Sequence, residues 1–266
     1  ALPIWSPDGK WFTLEFIGNR HDPYSDIGMV SAQGGKIINL TNSGYASGSP
    51  RWVLDGNAIL FITERYGMRA HASWGSLNDV MLVFMNQDAY DKFRLSKEDY
   101  ELQKELEKEQ KNTTETKKND KKKGDNKEKS EEKKEEKVKD IVVELNNIED
   151  RIVRLTPNSS DLGSAIITKD GETLYYLSAF EGGYDLWKMN LRKKDTKLLH
   201  KMDAGWANME MDKDGKNLFL LGSNTMQKMG TDSESLKPIS YQAHVKMDLA
   251  AERDYMFNHV YKQEIG

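Results

Sequence analysis

The sequence predicts an all-β fold, a β-propeller of which about four blades of four antiparallel strands are visible. Two observations carry the prediction. An Asp-Gly dipeptide followed by a β-rich run occurs four times, at Asp8-Gly9, Asp55-Gly56, Asp170-Gly171 and Asp214-Gly215. These turns lie 47, 115 and 44 residues apart, and the long middle interval exceeds its neighbours by about the length of one charged insertion. A repeat of this period, with no unit able to bury both faces alone, is the signature of blades that share their core with neighbours.

Each blade is built the same way. Gly supplies the positive backbone angle of a tight reversal and Asp hydrogen-bonds its own turn, so each dipeptide joins two strands into a hairpin. The second strands are Trp11–Phe16, Ala58–Ile62, Thr173–Leu177 and Asn217–Leu221. A third strand is expected to begin at Asp26-Ile27, Asp140-Ile141 and Asp185-Leu186. Turns at Gly34-Gly35 and Asn146-Asn147 then lead into Ile37–Thr41 and Ile152–Thr156, which share a Leu-Thr ending. In the second blade, Asp79–Phe84 and Ile141–Leu145 compete for one strand position. Trp5, Trp52, Tyr175, Trp187, Trp206 and Phe219 fall in or beside strands and are expected to pack between blades.

The insertion is a different material. From Lys97 to Asp140 the chain carries 15 lysines and 15 acidic residues, with only Tyr100, Leu102, Leu106 and Val138 apolar. Ser96 and Asp99 form a capping box that opens a helix through about Gln110. Lys111 to Lys137 has too little apolar surface to offset the entropy of ordering, and is expected to be disordered or transiently helical. Its charges cancel, which favours a solvated spacer over a binding tail. After the last blade, Asp248 caps a helix carrying Leu249, Met256, Phe257, Val260 and Tyr261, with Glu252 in its first turn and Lys262 in its last. The expected organisation is therefore propeller over 1–240, with a helical then disordered insertion over 87–139, and the start of a helical domain over 241–266. About four blades starting directly at Ala1 suggest part of a larger or incomplete propeller, whose end blades would self-associate.

Composition bounds the function. The chain has no cysteine, which removes disulfides and thiolate metal sites. A net charge of −4 gives no basic field for nucleic acid. A mean hydropathy of −0.76 accompanies the lack of any run of about 20 apolar residues, so no membrane span is expected. No Gly-x-Ser-x-Gly elbow and no His-Glu-x-x-His occurs. His21, His71, His200, His244 and His259 are scattered. Asp212-x-Asp214-Gly215 has the start of a calcium loop but lacks its other ligands, and is read as a turn. Asn39, Asn112 and Asn158 begin glycan-acceptor triplets that chance explains equally well. No catalytic, cofactor-binding or metal-ligating residue is assigned, and no cofactor is expected.

Trp5-Ser6-Pro7-Asp8-Gly9-Lys10 resembles the repeat of TolB-like propellers, and Asn19-Arg20 before Asp26-Ile27 fits the same blade. Asn147–Thr156, Phe180–Trp187 and Ala251–Phe257 resemble tricorn-type serine peptidases of the C-terminal-processing family. The charged insertion after Asn86–Leu95 is also similar to that family's periplasmic members. The resemblance implies an exported, periplasmic peptidase whose propeller precedes a helical domain, a PDZ domain and a catalytic domain. No position matches the family's catalytic motif. The chain is then expected to be a non-catalytic propeller that gates or docks peptide or unfolded-protein substrate. Its partners would be the remaining domains of the same polypeptide, and a homo-oligomer is an open option. Two other readings stand beside this one: a TolB-like binding module without enzyme activity, and the propeller of a prolyl-oligopeptidase-like enzyme.

Overall fold

A computed structural model describes residues 2–18, 24–69, 75–119, 139–223, 225–242, 244 and 246–265. Sixteen strands form four four-stranded antiparallel sheets, each in simple chain order. Blade 1 holds β1 (Ile4–Trp5), β2 (Trp11–Phe16), β3 (Asp26–Ser31) and β4 (Ile38–Asn39). Blade 2 holds β5 (Ser47–Val53), β6 (Ala58–Thr63), β7 (Asp79–Phe84) and β8 (Ile152–Arg154). Blade 3 holds β9 (Asp161–Ile167), β10 (Thr173–Ala179), β11 (Tyr184–Asn190) and β12 (Asp195–Ala204), and blade 4 holds β13 (Ala207–Met211), β14 (Asn217–Gly222), β15 (Thr225–Gly230) and β16 (Leu236–Pro238). Between β7 and β8 come α1 (Gln87–Arg94) and α2 (Lys97–Asn119), and α3 (Leu249–Ile265) follows the last blade.

The turns form as their residues dictate. Asp8 Oδ1 accepts from the Ser6 hydroxyl at 2.5 Å and the Lys10 amide at 3.1 Å. Thr168 and Asp170 repeat the arrangement in blade 3. Burial pushes the Asp8 carboxyl up, but the hydrogen bonds from Ser6, Ile141 and Lys10 and the Lys10 charge outweigh it and hold it below the usual range.

The core lies between blades. Ile27, Met29 and Leu40 of blade 1 pack on Ile59, Phe61, Met81 and Val83 of blade 2. The other face of blade 2, with Leu60, Val80 and Leu82, packs on Leu174, Tyr176 and Met189 of blade 3. Tyr175, Leu177 and Leu186 then meet Met209, Leu218, Leu220 and Met229 of blade 4. Alternation along each strand thus serves two interfaces at once, because successive side chains point to opposite faces. Burial raises the Tyr176 phenol to about 12.

In blades 1 and 2 a second device locks the third strand to the last. Asp26 accepts from Thr41 Oγ1 at 2.7 Å, Asn39 Nδ2 at 2.8 Å and the Ser43 amide at 3.0 Å. Asp79, fully buried, accepts from Thr156 Oγ1 and Ser159 Oγ, both at 2.7 Å, and from Arg154 at 2.8 and 3.0 Å. In each lock the Thr hydroxyl also accepts the amide that follows the Asp, from Ile27 or Val80. The Leu-Thr ending is therefore the partner of the Asp that opens the third strand.

Several expectations are corrected. The third strand of blade 2 is β7, and 139–145 forms no strand, because β8 occupies the free edge of β7 through Met81↔Arg154 and Leu82↔Val153. The 139–147 segment instead crosses to blade 1, where the Ile141 amide donates to Asp8 Oδ2 at 3.0 Å and Lys10 pairs with Asp140 at 2.6 Å. Gly56, at φ +87°, leaves room for Ile141, whose Cδ1 would lie 2.3 Å from any Cβ there. Buried Arg151 staples the same segment by donating to the carbonyls of Phe84, Asn146 and Glu144. Ser96 caps α2 by accepting the Asp99 amide at 3.1 Å, while its hydroxyl, in place of its backbone amide, donates to Asp99 Oδ2 at 2.8 Å; α2 runs to Asn119, nine residues past Gln110. The rest of the stretch expected to be disordered, 120–137, lies outside the described residues, as do Asn19, Arg20, His21 and His71. Trp5, Trp206 and Phe219 are not packed between blades: they are 56%, 50% and 36% exposed, since Trp5 and Phe219 sit on end blades and Trp206 on the loop entering β13. Asp248 caps α3 through the Ala250 and Ala251 amides, both at 3.1 Å.

Candidate functional site

Two concavities offer binding chemistry. The first lies at the centre of the four blades, where β5, β9 and β13 are the first strands of their sheets. A cavity of about 290 Å³ opens there between Arg51, Val53, Ala165, Ile167, Glu210 and Met211, with Asp55, Gly56, Lys169 and Lys213 from the turns also lining it. Arg51 Nη1 of blade 2 reaches Glu210 of blade 4, at 3.0 Å from Oε2 and 3.2 Å from Oε1. Both side chains keep substantial contact with solvent. An exposed pair of this kind contributes about 0–1 kcal/mol, so it can open to accept a ligand at little cost. Beside it, Lys169 donates to the Lys213 carbonyl and joins the turns of blades 3 and 4.

The walls combine apolar side chains with three cations, Arg51, Lys169 and Lys213, and three anions, Asp55, Glu210 and Asp212. Asp212 is committed to its turn. The Asn217 side chain and the amides of Asn217, Lys216 and Gly215 hold its carboxyl below the usual range. This is the turn reading of the Asp212–Gly215 stretch, and among the described residues no cluster of three or more His, Asp or Glu is placed to hold a metal.

The second concavity lies under α1 and α2, which cross the turn side of blades 2 and 3. Asn86 caps α1 through the Ala89 amide at 2.9 Å. Tyr100 is buried, and its hydroxyl donates to the Asp170 carbonyl at 3.1 Å. Arg192 of blade 3 stacks on the Tyr100 ring at 3.9 Å and donates to the Phe93 and Leu95 carbonyls. Lys104 pairs with Glu172, and that hydrogen bond raises the ammonium's pKa. The helical lead-in is thus a docked strap. It roofs cavities of about 690 and 480 Å³, lined by Asp88, Lys92, Glu107 and Glu144 in one and Asp55, Lys104 and Arg192 in the other.

The three described histidines do not converge. His200 Nε2 lies 2.8 Å from the Glu234 carbonyl, His259 stacks on Tyr255 on α3, and His244 is exposed. Asn39 is engaged with Asp26 in the blade 1 lock, whereas Asn158 is exposed. Sequence reasoning missed Arg51, Glu210 and Arg192, since the two members of the axial pair lie 159 residues apart and meet only through blade curvature.

No protein-family model matches the chain. It is 40% identical over 58 residues to the uncharacterized peptidase YuxL of Bacillus subtilis (strain 168), a match that covers 22% of this chain and 8% of that protein. Among solved structures it is similar to the tricorn protease, with a TM-score of 0.57 at 10% identity, over 90% of this chain and 22% of the other. It is also similar to TolB from Acinetobacter baumannii, with a TM-score of 0.51 at 10% identity, over 89% of this chain and 43% of TolB. The chain spans less than half the length of each, and at this identity the likeness establishes the propeller fold alone.

Proposed function

We propose that the chain is the non-catalytic propeller of an exported, periplasmic serine peptidase of the tricorn type. It docks or gates unfolded polypeptide at its axis, while peptide-bond hydrolysis belongs to other domains of the same polypeptide, entered at the helical 241–266 segment. The observation that carries the reading is the axial cavity bridged by the Arg51–Glu210 pair. The fold shared with the tricorn protease and the sequence match to a peptidase support it. An extended peptide presents both a carbonyl-rich backbone and charged termini, and it can replace each member of an exposed ion pair in turn.

The test is fluorescence anisotropy of a labelled, reduced and carboxymethylated lactalbumin titrated with the chain. Saturable binding is expected, weakened about fivefold or more by Arg51→Glu and unchanged by Lys237→Glu on the outer strand β16. Binding indifferent to Arg51, or none at all, refutes the axial site. The likeness to TolB favours a second reading, a protein-binding propeller with no attached hydrolase. It would prefer a folded partner, and unfolded lactalbumin would then fail to compete.

A further inference from the structure

Three cavities follow one another outward from the axis. Leu54, Asp55 and Lys169 line the axial cavity and also line the cavity of about 480 Å³ under the strap. That cavity in turn shares Asn57, Ala89, Lys92 and Glu107 with the one of about 690 Å³. The series crosses the turns of blades 2 and 3 and runs on beneath α1 and α2. Asp55 and Lys169, which stand between the first two cavities, are exposed, and exposed side chains change rotamer freely.

The strap over this series is fastened unequally. On blade 2 the attachment is apolar, with the Phe84 ring 5.7 Å from that of Tyr90 and 5.0 Å from that of Phe93. On blade 3 it is mostly polar. Among the described residues Tyr100 is the only buried side chain of α2, whereas Leu102 and Leu106 are exposed. The other holds are the Lys104–Glu172 pair and the carbonyls of Phe93 and Leu95 that Arg192 reaches. The blade 3 side is therefore the one that can open.

The docked arrangement also leaves polar groups unmet. Gln103 Oε1 of α2 and Arg192 Nε of blade 3 are buried with no hydrogen-bond partner, and an unmet buried acceptor and donor weigh against closure. Gln103 lines the larger strap cavity and Arg192 the smaller. Each residue of an extended polypeptide carries one amide donor and one carbonyl acceptor, the complement of that pair. The rest of the walls suit a main chain more than a ligand of one charge. Leu54, Ala89, Phe93 and Leu95 are apolar, Lys92 is paired with Glu107, and the Asn86 amide donates to Asn57 Oδ1 at 3.1 Å.

We infer that the space under the strap is the outer part of the axial site. The strap opens on its blade 3 side, admits polypeptide running out from the axis and closes on it, with main-chain groups meeting Gln103 Oε1 and Arg192 Nε. This rests on the axial docking proposed above and makes α1 and α2 its gate.

The chain has no cysteine, so Lys104→Cys combined with Glu172→Cys supplies two unique thiols that bismaleimidoethane can join across the closed strap. The same double variant capped with N-ethylmaleimide is the control, since both forms lack the ion pair. Stopped-flow anisotropy with labelled, reduced and carboxymethylated lactalbumin, whose own thiols are blocked, reads the association rate and Kd. The capped form is expected to bind within about twofold of the unaltered chain, because an exposed ion pair contributes little. The tethered form is expected to associate about tenfold or more slowly, as a gate held shut requires. If the double variant unfolds, Gln103→Leu carries the test: Kd should rise about fivefold with loss of one hydrogen bond, and an unchanged value overturns the inference. Arg51→Glu, titrated alongside, separates the two readings. Binding sensitive to Arg51 but indifferent to the tether overturns the strap site and leaves axial docking standing. Binding sensitive to the tether but indifferent to Arg51 keeps the strap site and overturns axial docking. No binding by any form overturns both.

Discussion

Replacing Asp79 by Ala should be among the most damaging single changes in the protein. Its carboxylate is wholly buried and collects hydrogen bonds from Arg154, Thr156 and Ser159. Removal strands the Thr156 hydroxyl in the interior and leaves the partly exposed Arg154 guanidinium without its counter-ion. Breaking a buried pair costs about 3–5 kcal/mol; since Arg154 retains some water, about 3 kcal/mol is expected. For a domain of this size about 3 kcal/mol lowers the thermal midpoint by about 6–12 °C. Thr156→Val removes one bond to Asp79 and one from the Val80 amide, and should cost about 1–2 kcal/mol. Thermal and urea denaturation of both single variants and the double variant gives a cycle whose coupling energy should be about 1 kcal/mol or more. A midpoint shift of Asp79→Ala below about 2 °C, or additive effects, would refute the lock.

Other consequences follow from the same contacts. Arg192→Ala removes the stacking partner of Tyr100 and the donor to the Phe93 and Leu95 carbonyls, so α1 and α2 should lift from blade 3. Amide exchange in 87–104 should rise while that of β10 and β11 stays unchanged; equal loosening of the blade would contradict the strap assignment. Glu234 joins blade 4 to blade 3 by pairing with Lys188 at 2.6 Å and Lys197 at 2.8 Å, and these bonds hold its carboxyl below its ordinary value of 4.5. Its contribution is therefore complete above pH 4.5 and is lost as the pH falls from there through the lower folded-state value. Glu234→Gln should cost about 1 kcal/mol at neutral pH and flatten that part of the acid limb in urea melts. An unchanged pH profile would argue against the pairing.

How far the fold could be read in advance depended on what each residue's role required. The Asp-Gly turns and the strands after them were legible because both causes are local: a positive backbone angle at Gly and period-2 burial. The 139–145 segment misled because Ile141 and Val143 do pack against the blade 1–2 core, giving a strand-like alternation without a ladder partner. Only the pairing of β8 with β7 decides that competition, and pairing is a long-range property. Tyr100 lay among charged residues and gave no sign that it would be buried under Arg192. The Leu-Thr endings were visible, yet their link to Asp26 and Asp79 needed the third dimension. The axial pair was beyond reach for the same reason. Arg51 and Glu210 are ordinary charges until two blades curve around one axis.

Hydrogen exchange of the chain with and without saturating unfolded lactalbumin tests the central proposal most directly. Docking at the axis predicts slowed exchange in β5, β9 and β13 and their turns, at 51–56, 165–171 and 210–215, with no fragments released from the polypeptide. Protection confined to the outer strands or to α3, or cleavage that survives repurification, would contradict it.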